Sequence, residues 1–275
     1  MIGITAYGAY YPRGRLSKKA IADANAWFDA GLNALAKGER AFCNWDEDSI
    51  TMGIEAAQDC LCSLQSPDLY TLYFASTTFP FLDRQNSVVV SEALNLDSGV
   101  RTMDIAASQR AGTSALVALL EGGQSRTGLL VASEHRKTKA GSRSEMLWGD
   151  GAAAVTVGPD NVLAEFIAAE TAAVDFVDHY RGEDSSFDYD WEERWIRDEG
   201  FMKIVPSVIE SLLSKANLKA SDIDHFIIPT DQARTPAALA KKLGIAPDAI
   251  IDNGVALLGV AGAAQHLLLL VRALE

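Results

Sequence analysis

The chain has 275 residues, of which 48% are hydrophobic and 22% are charged, and its formal net charge is −13. This length and apolar content suffice for a sizeable core in one large domain or two small domains. The acidic surplus argues against binding to a nucleic-acid backbone, which requires a basic surface. We interpret the surplus mainly as a feature that keeps the protein dissolved.

The cysteines and the apolar runs exclude further classes of protein. Cys43, Cys60 and Cys62 form no C-x-x-C pair, so neither a disulfide framework nor a zinc site is predicted. The longest apolar run, residues 255–271, contains Gln265 and predicts a buried helix rather than a membrane span. The first residues read as a strand and not as a secretory leader. The sequence therefore predicts a cytoplasmic protein without membrane or nucleic-acid partners.

In chain order, the first half alternates strands with helices. Strands are predicted at residues 2–10, 72–76, 100–104, 127–134 and 152–158, and helices at residues 17–28, 50–64, 86–94 and 112–121. Residues 38–49 are predicted to form a polar loop, and residues 148–151 a tight glycine turn. The uninterrupted apolar strand at 127–134 is typical of a sheet that is covered on both faces.

The second half repeats this order weakly. Strands are predicted at residues 162–170, 223–229 and 249–252, helices at 199–216, 236–243 and 259–274, and a polar, aromatic-rich insert at 175–197. Alternating strands and helices indicate α/β architecture. The similarity of the two halves indicates an internal duplication, with an N-terminal half at 1–160 and a C-terminal half at 161–275. The second half lacks the closing pair of strands that the first half has.

The local pattern changes most sharply at residues 104–113, where a buried strand end meets the start of an apolar helix. Such a turn places Gln109 at the helix N-terminus, where free backbone N–H groups and the helix dipole favour negative charge. A thiolate there would attack thioesters well, but this chain has an amide. Ser108 beside it is interpreted as a capping hydroxyl or, alternatively, as a nucleophile.

Several segments together resemble the thiolase superfamily. They are the opening strand at residues 4–12, the stretch at 44–52, Arg-Ala-Gly-Thr at 110–113, Trp-Gly-Asp-Gly-Ala-Ala-Ala at 148–154 and Ala-Lys-Lys-Leu-Gly at 240–244. The resemblance is to the branch of hydroxymethylglutaryl-CoA synthase and β-ketoacyl-ACP synthase III, and it covers nearly the whole chain. It implies a thiolase-like αβαβα layered fold of two related halves, the C-terminal half lacking its closing strands.

The resemblance also locates four functional positions, and this chain differs at all of them. The nucleophilic Cys, the acid/base Glu, the oxyanion-side His and the Asn of the family correspond here to Gln109, Thr77, Ile227 and Val260. A Cys-based Claisen condensation needs a thiolate, a proton-transferring group and an oxyanion site. The resemblance therefore implies a catalytically degenerate subunit, which acts as a structural or regulatory partner in an acyl-CoA-processing complex.

The family resemblance implies partners as well. Thiolase folds pair through the strand beside the nucleophile helix, here residues 100–104, which suggests a homodimer or a heterodimer with a thiolase-type subunit. This branch often works with a small zinc-ribbon/OB-fold protein. Because bare sheet edges favour aggregation, we expect either a further chain that completes the C-terminal sheet or a reorganised edge. The aromatic segment at 184–195 is interpreted as a subunit contact or, alternatively, as a tunnel lining.

Two active-enzyme alternatives stay open. One is an acyltransferase, or a retro-aldol or retro-Claisen lyase, on a CoA thioester that uses residues outside the family set, such as Ser108, His179 or Tyr180. The other is a decarboxylase in which the Gln109 amide polarises a thioester carbonyl.

A basic run follows the strand at 127–134 and could bind coenzyme A. His135 and the first residue of the run are expected to lie in an exposed polar loop. Three interpretations of the run stay open: it contacts CoA phosphates, it contacts an acidic partner, or it is a solvated loop. Its cations are Arg136, Lys137, Lys139 and Arg143. No metal and no resident cofactor are predicted, and a CoA thioester is expected only as substrate or ligand.

Overall fold

The computed structural model describes residues 1–62, 64, 68–122 and 126–275, which form two compact units. The first unit comprises Met1–Arg136, Ala140–Phe166 and Gly254–Glu275, and the second comprises Lys137–Lys139 and Ile167–Asn253. The last segment of the chain thus packs with the first unit. The internal duplication into halves 1–160 and 161–275 remains a prediction.

Eight strands lie in the described part of the first unit. They are β1 (Gly3–Tyr10), β2 (Gly14–Ser17), β3 (Glu39–Phe42), β4 (Leu69–Ala75), β5 (Arg101–Ile105), β6 (Thr127–Glu134), β7 (Gly151–Gly158) and β8 (Ala164–Glu165). Six of them form a sheet in the order β5-β4-β6-β7-β1-β8, whereas β2 and β3 pair separately. Strand β4 runs parallel to β5 and β6, and β7 runs antiparallel to β6 and β1.

Four helices of the first unit cover the two faces of this sheet. The α-helices of the described residues are, in chain order, α1 (Lys18–Asn25), α2 (Ser49–Cys62), α3 (Asn86–Ala93), α4 (Ala111–Glu121), α5 (Arg143–Leu147), α6 (Glu193–Trp195), α7 (Val205–Ala216), α8 (Thr235–Leu243) and α9 (Gln265–Leu274). One apolar cluster packs α4 and α9 on one face, and a second packs α2 and α3 on the other. Every residue of β7 is consequently buried, as expected for a sheet covered on both sides. The α/β fold class with a central sheet is confirmed.

The second unit is mainly helical and loop-rich, unlike its prediction. The expected strands at 223–229 and 249–252 are wrong, because among the described residues they form only an isolated parallel bridge between Phe226 and Ile250. Pro229 cannot donate a backbone hydrogen bond, which disfavours extending that pairing. The expected strand at 162–170 is reduced to β8. Phe226 and Ile250 instead pack with the unit's small apolar cluster.

The polar insert at 175–197 also contains more regular structure than expected. Strands β9 (His179–Tyr180) and β10 (Tyr189–Asp190) pair with each other. The helix expected from residue 199 begins at Glu193 and continues through a π-helical stretch, Ile196–Ile204, into α7. The Glu192 carboxylate accepts hydrogen bonds from the N–H groups of Arg194 and Trp195, at 2.9 and 2.7 Å. This cap fixes the earlier start.

Three boundaries in the first unit differ from the sequence prediction. The predicted polar loop at 38–49 contains β3, whose pairing with β2 was missed. The helix predicted at 17–28 ends at Asn25. The final helix begins at Gln265 rather than at residue 259, because Gly259 and Gly262 have φ of 82° and 41°, outside the helical region. None of the helices in the described ranges has the length and apolarity needed to cross a membrane.

Candidate functional site

The turn between β5 and α4 has the geometry of a strand-to-helix elbow. Strand β5 ends at Ile105, Ala107 adopts a left-handed φ of 69°, and α4 begins at Ala111. This conformation is strained for a residue with a Cβ. The exposed Ser108 accepts a hydrogen bond from Arg110 N at its Oγ, over 3.1 Å. The half-buried Gln109 thus stands directly before the helix start, on a turn that Ser108 helps to fix.

A second polar contact holds the end of β5 in place. Asp104 accepts hydrogen bonds from the backbone N–H groups of Asn86 and Ser87, both at 2.7 Å. The side-chain amide of Asn86 donates to the same carboxylate at 2.9 Å. Asp104 therefore connects the end of β5 to the first turn of α3, where the helix dipole favours a negative charge.

Thr77, a predicted site residue, donates two hydrogen bonds to a neighbouring buried carboxylate. Thr77 donates from both its backbone N–H and its hydroxyl to Glu134, and the Oγ1–Oε2 distance is 2.7 Å. Ser76 Oγ adds a third hydrogen bond at 3.1 Å. Glu134 is fully buried, and sequence reasoning missed it. The signal for it was a lone carboxylate at the end of the apolar strand 127–134.

Arg136 and Gly262 complete this environment, and we call Ser76, Thr77, Glu134, Arg136 and Gly262 the Glu134 cluster. Burial raises the pKa of the Glu134 carboxyl, whereas the hydrogen bonds from Thr77 and the positive charge of Arg136 oppose that rise. A Cβ on Gly262 would lie 2.6 Å from Glu134 Oε2 and 3.1 Å from Arg136 Cδ. The cluster therefore leaves no room for a side chain at position 262.

The four cations of the basic run do not form one exposed patch. Arg136 is only 4% exposed, and its guanidinium carbon lies 3.2 Å from the ring centroid of Trp148, so its predicted exposure is wrong. Such stacking holds a guanidinium by cation–π attraction. Lys137 and Lys139 are exposed residues of the second unit, whereas Arg143 is exposed at the start of α5 in the first.

The two remaining predicted site residues, Val260 and Ile227, carry apolar side chains. Val260 is buried, and its backbone donates to Leu147 O at 2.9 Å and accepts from Gly149 N at 3.1 Å. Ile227 is half-buried in the second unit. Gln109, Ser108, Thr77 and Val260 thus belong to the first unit and Ile227 to the second. Neither Val260 nor Ile227 offers a side-chain donor to an oxyanion.

His266 lies beneath the first turn of α4. A Cβ on Gly112 would lie 2.7 Å from His266 Nε2. Burial lowers the pKa of His266 to about 4, so its imidazole is neutral near pH 7. Among the described residues, its Nε2 finds no hydrogen-bond partner.

A further side-chain cluster, which the sequence analysis did not identify, consists of Cys43, His135 and Asp150. One potential ligand atom from each side chain lies within 4.8 Å of the others. His135 Nδ1 lies 3.1 Å from Asp150 Oδ2. The three residues lie far apart in sequence, so their spacing carries no metal-binding motif.

The other candidates for an alternative enzyme, His179 and Tyr180, form β9 in the second unit. His179 Nδ1 lies 2.8 Å from Asp178 Oδ1, and the Tyr180 ring packs against Tyr189 at 5.3 Å between centroids. Their contacts are thus with neighbours in the insert, whereas Ser108 belongs to the first unit.

No model of a known protein family matches the chain, but curated proteins resemble it along most of its length. It is 26% identical to the hydroxymethylglutaryl-CoA synthase of Caldivirga maquilingensis over 279 residues, which cover 94% of this chain and 79% of that protein. It is 28% identical to the enzyme of the same name from Aeropyrum pernix over 248 residues, which cover 88% of this chain and 68% of that protein.

Solved structures show the same fold. The 3-oxoacyl-[acyl-carrier-protein] synthase III of Aquifex aeolicus matches with a TM-score of 0.85 at 21% identity, over 99% of this chain and 90% of that one. A variant of Xanthomonas campestris OleA matches with a TM-score of 0.84 at 18% identity, over 98% of this chain and 88% of that one. The chain is thus similar in sequence to hydroxymethylglutaryl-CoA synthases and shares its fold with these two solved structures.

Proposed function

We propose that this chain is a catalytically degenerate thiolase-fold subunit, a structural or regulatory partner in a complex that forms or cleaves carbon–carbon bonds of acyl-CoA thioesters. The proposal rests on the residues that follow β5 and β4. Gln109 stands where the family places its thiol, and Thr77, where the family places its carboxylate, donates twice to the buried Glu134. A Claisen condensation lacks both its nucleophile and its proton-transferring group in this arrangement.

The sheet edge supports the proposed pairing with another subunit. Strand β5 is the first strand of the sheet, and in the part of the chain that the structure describes it pairs with β4 alone. Its Met103 is 40% exposed. An unpaired strand edge is a template for a strand of another chain. We propose that a second copy or a thiolase-type subunit pairs with β5.

Exposed apolar side chains of the first unit support an interaction role in the same way. Trp45 is 92% exposed and Leu82 is 97% exposed. We propose that these two side chains contact the partner subunit. Two further proposed interactions rest on the family resemblance alone. One is with a zinc-ribbon/OB-fold protein, and the other is with a chain that completes the C-terminal sheet. Contacts of Lys137, Lys139 and Arg143 with CoA phosphates likewise remain part of the proposal.

The test compares the chain alone with the chain co-expressed with the products of its neighbouring genes. We expect the chain alone to release no CoA from acetyl-CoA, acetoacetyl-CoA or malonyl-CoA, and we expect it to co-purify with a Cys-bearing thiolase homologue. In that complex, Gln109→Ala should change turnover by less than about twofold, like the control Gln58→Ala on an exposed part of α2. Turnover by the chain alone that Gln109→Ala or Ser108→Ala abolishes would overturn the proposal.

One observation favours a decarboxylase as the second candidate. Gln109 is half-buried at the start of α4, where its amide N–H and the helix N-terminus could both stabilise a developing oxyanion. Conversion of malonyl-CoA to acetyl-CoA and CO₂ by the chain alone, lost in Gln109→Ala and retained in Gln58→Ala, would establish this function instead.

A further inference from the structure

We propose that Cys43, His135 and Asp150 bind a single transition-metal ion, with Zn²⁺ the ion that best fits their chemistry. These residues bring a thiol, an imidazole and a carboxylate to within 4.8 Å of one another. Three protein ligands of mixed type with a fourth position open are typical of zinc sites that keep a water ligand. We call the three residues the Cys43 cluster.

The backbone around the Cys43 cluster is fixed by hydrogen bonds within the first unit. Cys43 directly follows β3, and its N–H donates to Asp150 Oδ2 at 2.8 Å. The Asp150 N–H donates back to Ala41 O at 3.2 Å. His135 directly follows β6, and its N–H donates to Thr78 Oγ1 at 2.9 Å. The ends of three strand segments therefore hold the ligands before any ion binds, which reduces the cost of ordering them.

A buried carboxylate oxygen gives an independent reason to expect a cation. Asp150 is only 2% exposed, and its Oδ1 has no hydrogen-bond partner among the residues that the structure describes. Leaving a buried carboxylate oxygen without a donor is costly, and a metal ion would remove that cost. The His135 side chain is 39% exposed, whereas its Nδ1 is buried beside Asp150, so an ion would be enclosed by the three side chains.

The distances fit zinc after a small contraction. Bond lengths of about 2.0–2.3 Å place the donor atoms of a tetrahedral zinc site roughly 3.3–3.8 Å apart. His135 Nδ1 and Asp150 Oδ2 are already 3.1 Å apart, and no pair in the cluster exceeds 4.8 Å. The widest pair would have to close by about 1 Å, given those bond lengths. On binding, the Cys43 thiol transfers its proton to solvent and the thiolate ligates the ion.

The ligand types select against the common hard cations. Mg²⁺ and Ca²⁺ prefer oxygen ligands, whereas thiolate and imidazole favour Zn²⁺ and other late first-row ions. Two factors oppose binding: the buried Arg40 guanidinium interacts electrostatically with both Asp150 and Cys43, and burial together with Asp150 raises the pKa of the Cys43 thiol. A thiolate and a carboxylate together outweigh that single positive charge when a divalent ion binds.

The bound ion would link the Cys43 cluster to the Glu134 cluster. His135 is adjacent in sequence to Glu134, and Thr78, which receives the His135 N–H, is adjacent to Thr77. An ion would therefore clamp the ends of β3 and β6 and the start of β7 beside the Glu134 cluster. We infer a stabilising role in the first unit, which requires neither CoA nor a partner subunit.

The experiment titrates tag-free, chelator-treated protein with Co²⁺ and then with Zn²⁺. We expect one ion per chain, visible bands of four-coordinate Co²⁺, a near-ultraviolet thiolate-to-cobalt band, and displacement of Co²⁺ by Zn²⁺. Cys43→Ala and His135→Gln should each weaken binding by more than about 100-fold, the upper range for loss of an outer-shell partner. Cys62→Ser removes an exposed thiol outside the cluster and should bind like the wild type.

Thermal unfolding of the same proteins provides the second readout. Zn²⁺ should raise the melting temperature of the wild type and of Cys62→Ser, and leave that of Cys43→Ala and His135→Gln unchanged. If Cys43→Ala does not fold, the comparison of the wild type with His135→Gln, a change at a half-exposed side chain, decides the test. Co²⁺ binding without the thiolate band, equal affinities of wild type and His135→Gln, or equal competition by Mg²⁺ would overturn the proposal. None of these outcomes depends on whether the subunit is catalytically degenerate.

Discussion

Replacing Gly262 with alanine tests how tightly the Glu134 cluster is packed. The new Cβ would lie 2.6 Å from Glu134 Oε2, 3.0 Å from Glu134 Cγ and 3.1 Å from Arg136 Cδ. Both neighbours are buried and held, Glu134 by Thr77 and Arg136 by the Trp148 ring. They can give way only by weakening those contacts.

Two separate costs add up for Gly262→Ala. The left-handed φ of 41° costs a residue with a Cβ about 1 kcal/mol, and forcing a methyl group into a filled space costs about 1–3 kcal/mol. The expected loss in the free energy of unfolding is therefore about 2–4 kcal/mol. An unfolding entropy of about 2.1 cal/mol/K per residue, over 275 residues, converts this loss to a fall of about 3–7 °C in melting temperature.

Gly254→Ala is the matched control in the same unit. Gly254 has a φ of 66°, but the nearest atom to its Cβ position is 3.8 Å away, so only the backbone cost of about 1 kcal/mol applies. Scanning calorimetry of both variants and the wild type measures the difference. Equal melting temperatures for Gly262→Ala and Gly254→Ala would refute the packing that we describe around Glu134.

Three more predictions concern single side chains. Thr77→Val removes a hydrogen bond to a buried carboxylate and should lower the free energy of unfolding, measured by urea denaturation, by about 1–3 kcal/mol. Thr77→Ser keeps the hydroxyl and should retain most of that stability. Equal stabilities of the two variants would contradict the contact. Burial lowers the pKa of His266 to about 4, so the unfolded chain binds a proton more tightly than the folded chain. The free energy of unfolding should therefore rise by up to about 3 kcal/mol between pH 4 and pH 6.5 and stay constant above pH 6.5. His266→Gln should flatten that part of the pH profile, and an unchanged profile would contradict the burial. Glu192→Ala removes the helix cap and should cost about 1 kcal/mol in chemical denaturation, whereas Glu192→Asp should cost less.

The first unit was the easier part to predict because its signals are local. Strand β6 begins and ends at its predicted residues, and β1, β4, α2 and α4 agree within a few residues. Continuous apolar runs and 3.6-residue periodicity identify such elements without knowledge of their neighbours. Strand β3 was missed because its four residues do not alternate between exposed and buried positions: Glu39 and Phe42 are exposed, whereas Arg40 and Ala41 are buried.

The second unit and the side-chain clusters depend on contacts that sequence patterns do not encode. Residues 223–229 have the composition of a strand, but a strand requires neighbours, and only Phe226 finds one in the described chain. The Cys43 cluster joins a residue after β3, one after β6 and one before β7. Cys43 lies far in sequence from His135 and Asp150, which flank the connection between β6 and β7, so no spacing motif joins the three.

The pairing of β4 with β6 explains why Thr77 and Glu134 meet. Ala75 lies opposite Ala132 in this parallel pair, so residues two positions further along each strand, 77 and 134, arrive at the same edge of the sheet and on the same side. An ionised carboxylate at position 77 would then lie within hydrogen-bond reach of the Glu134 carboxylate. Two like charges at that distance cannot both stay ionised in a buried environment. A threonine there donates instead of repelling, so the hydroxyl at position 77 and the buried carboxylate at position 134 form one compatible pair.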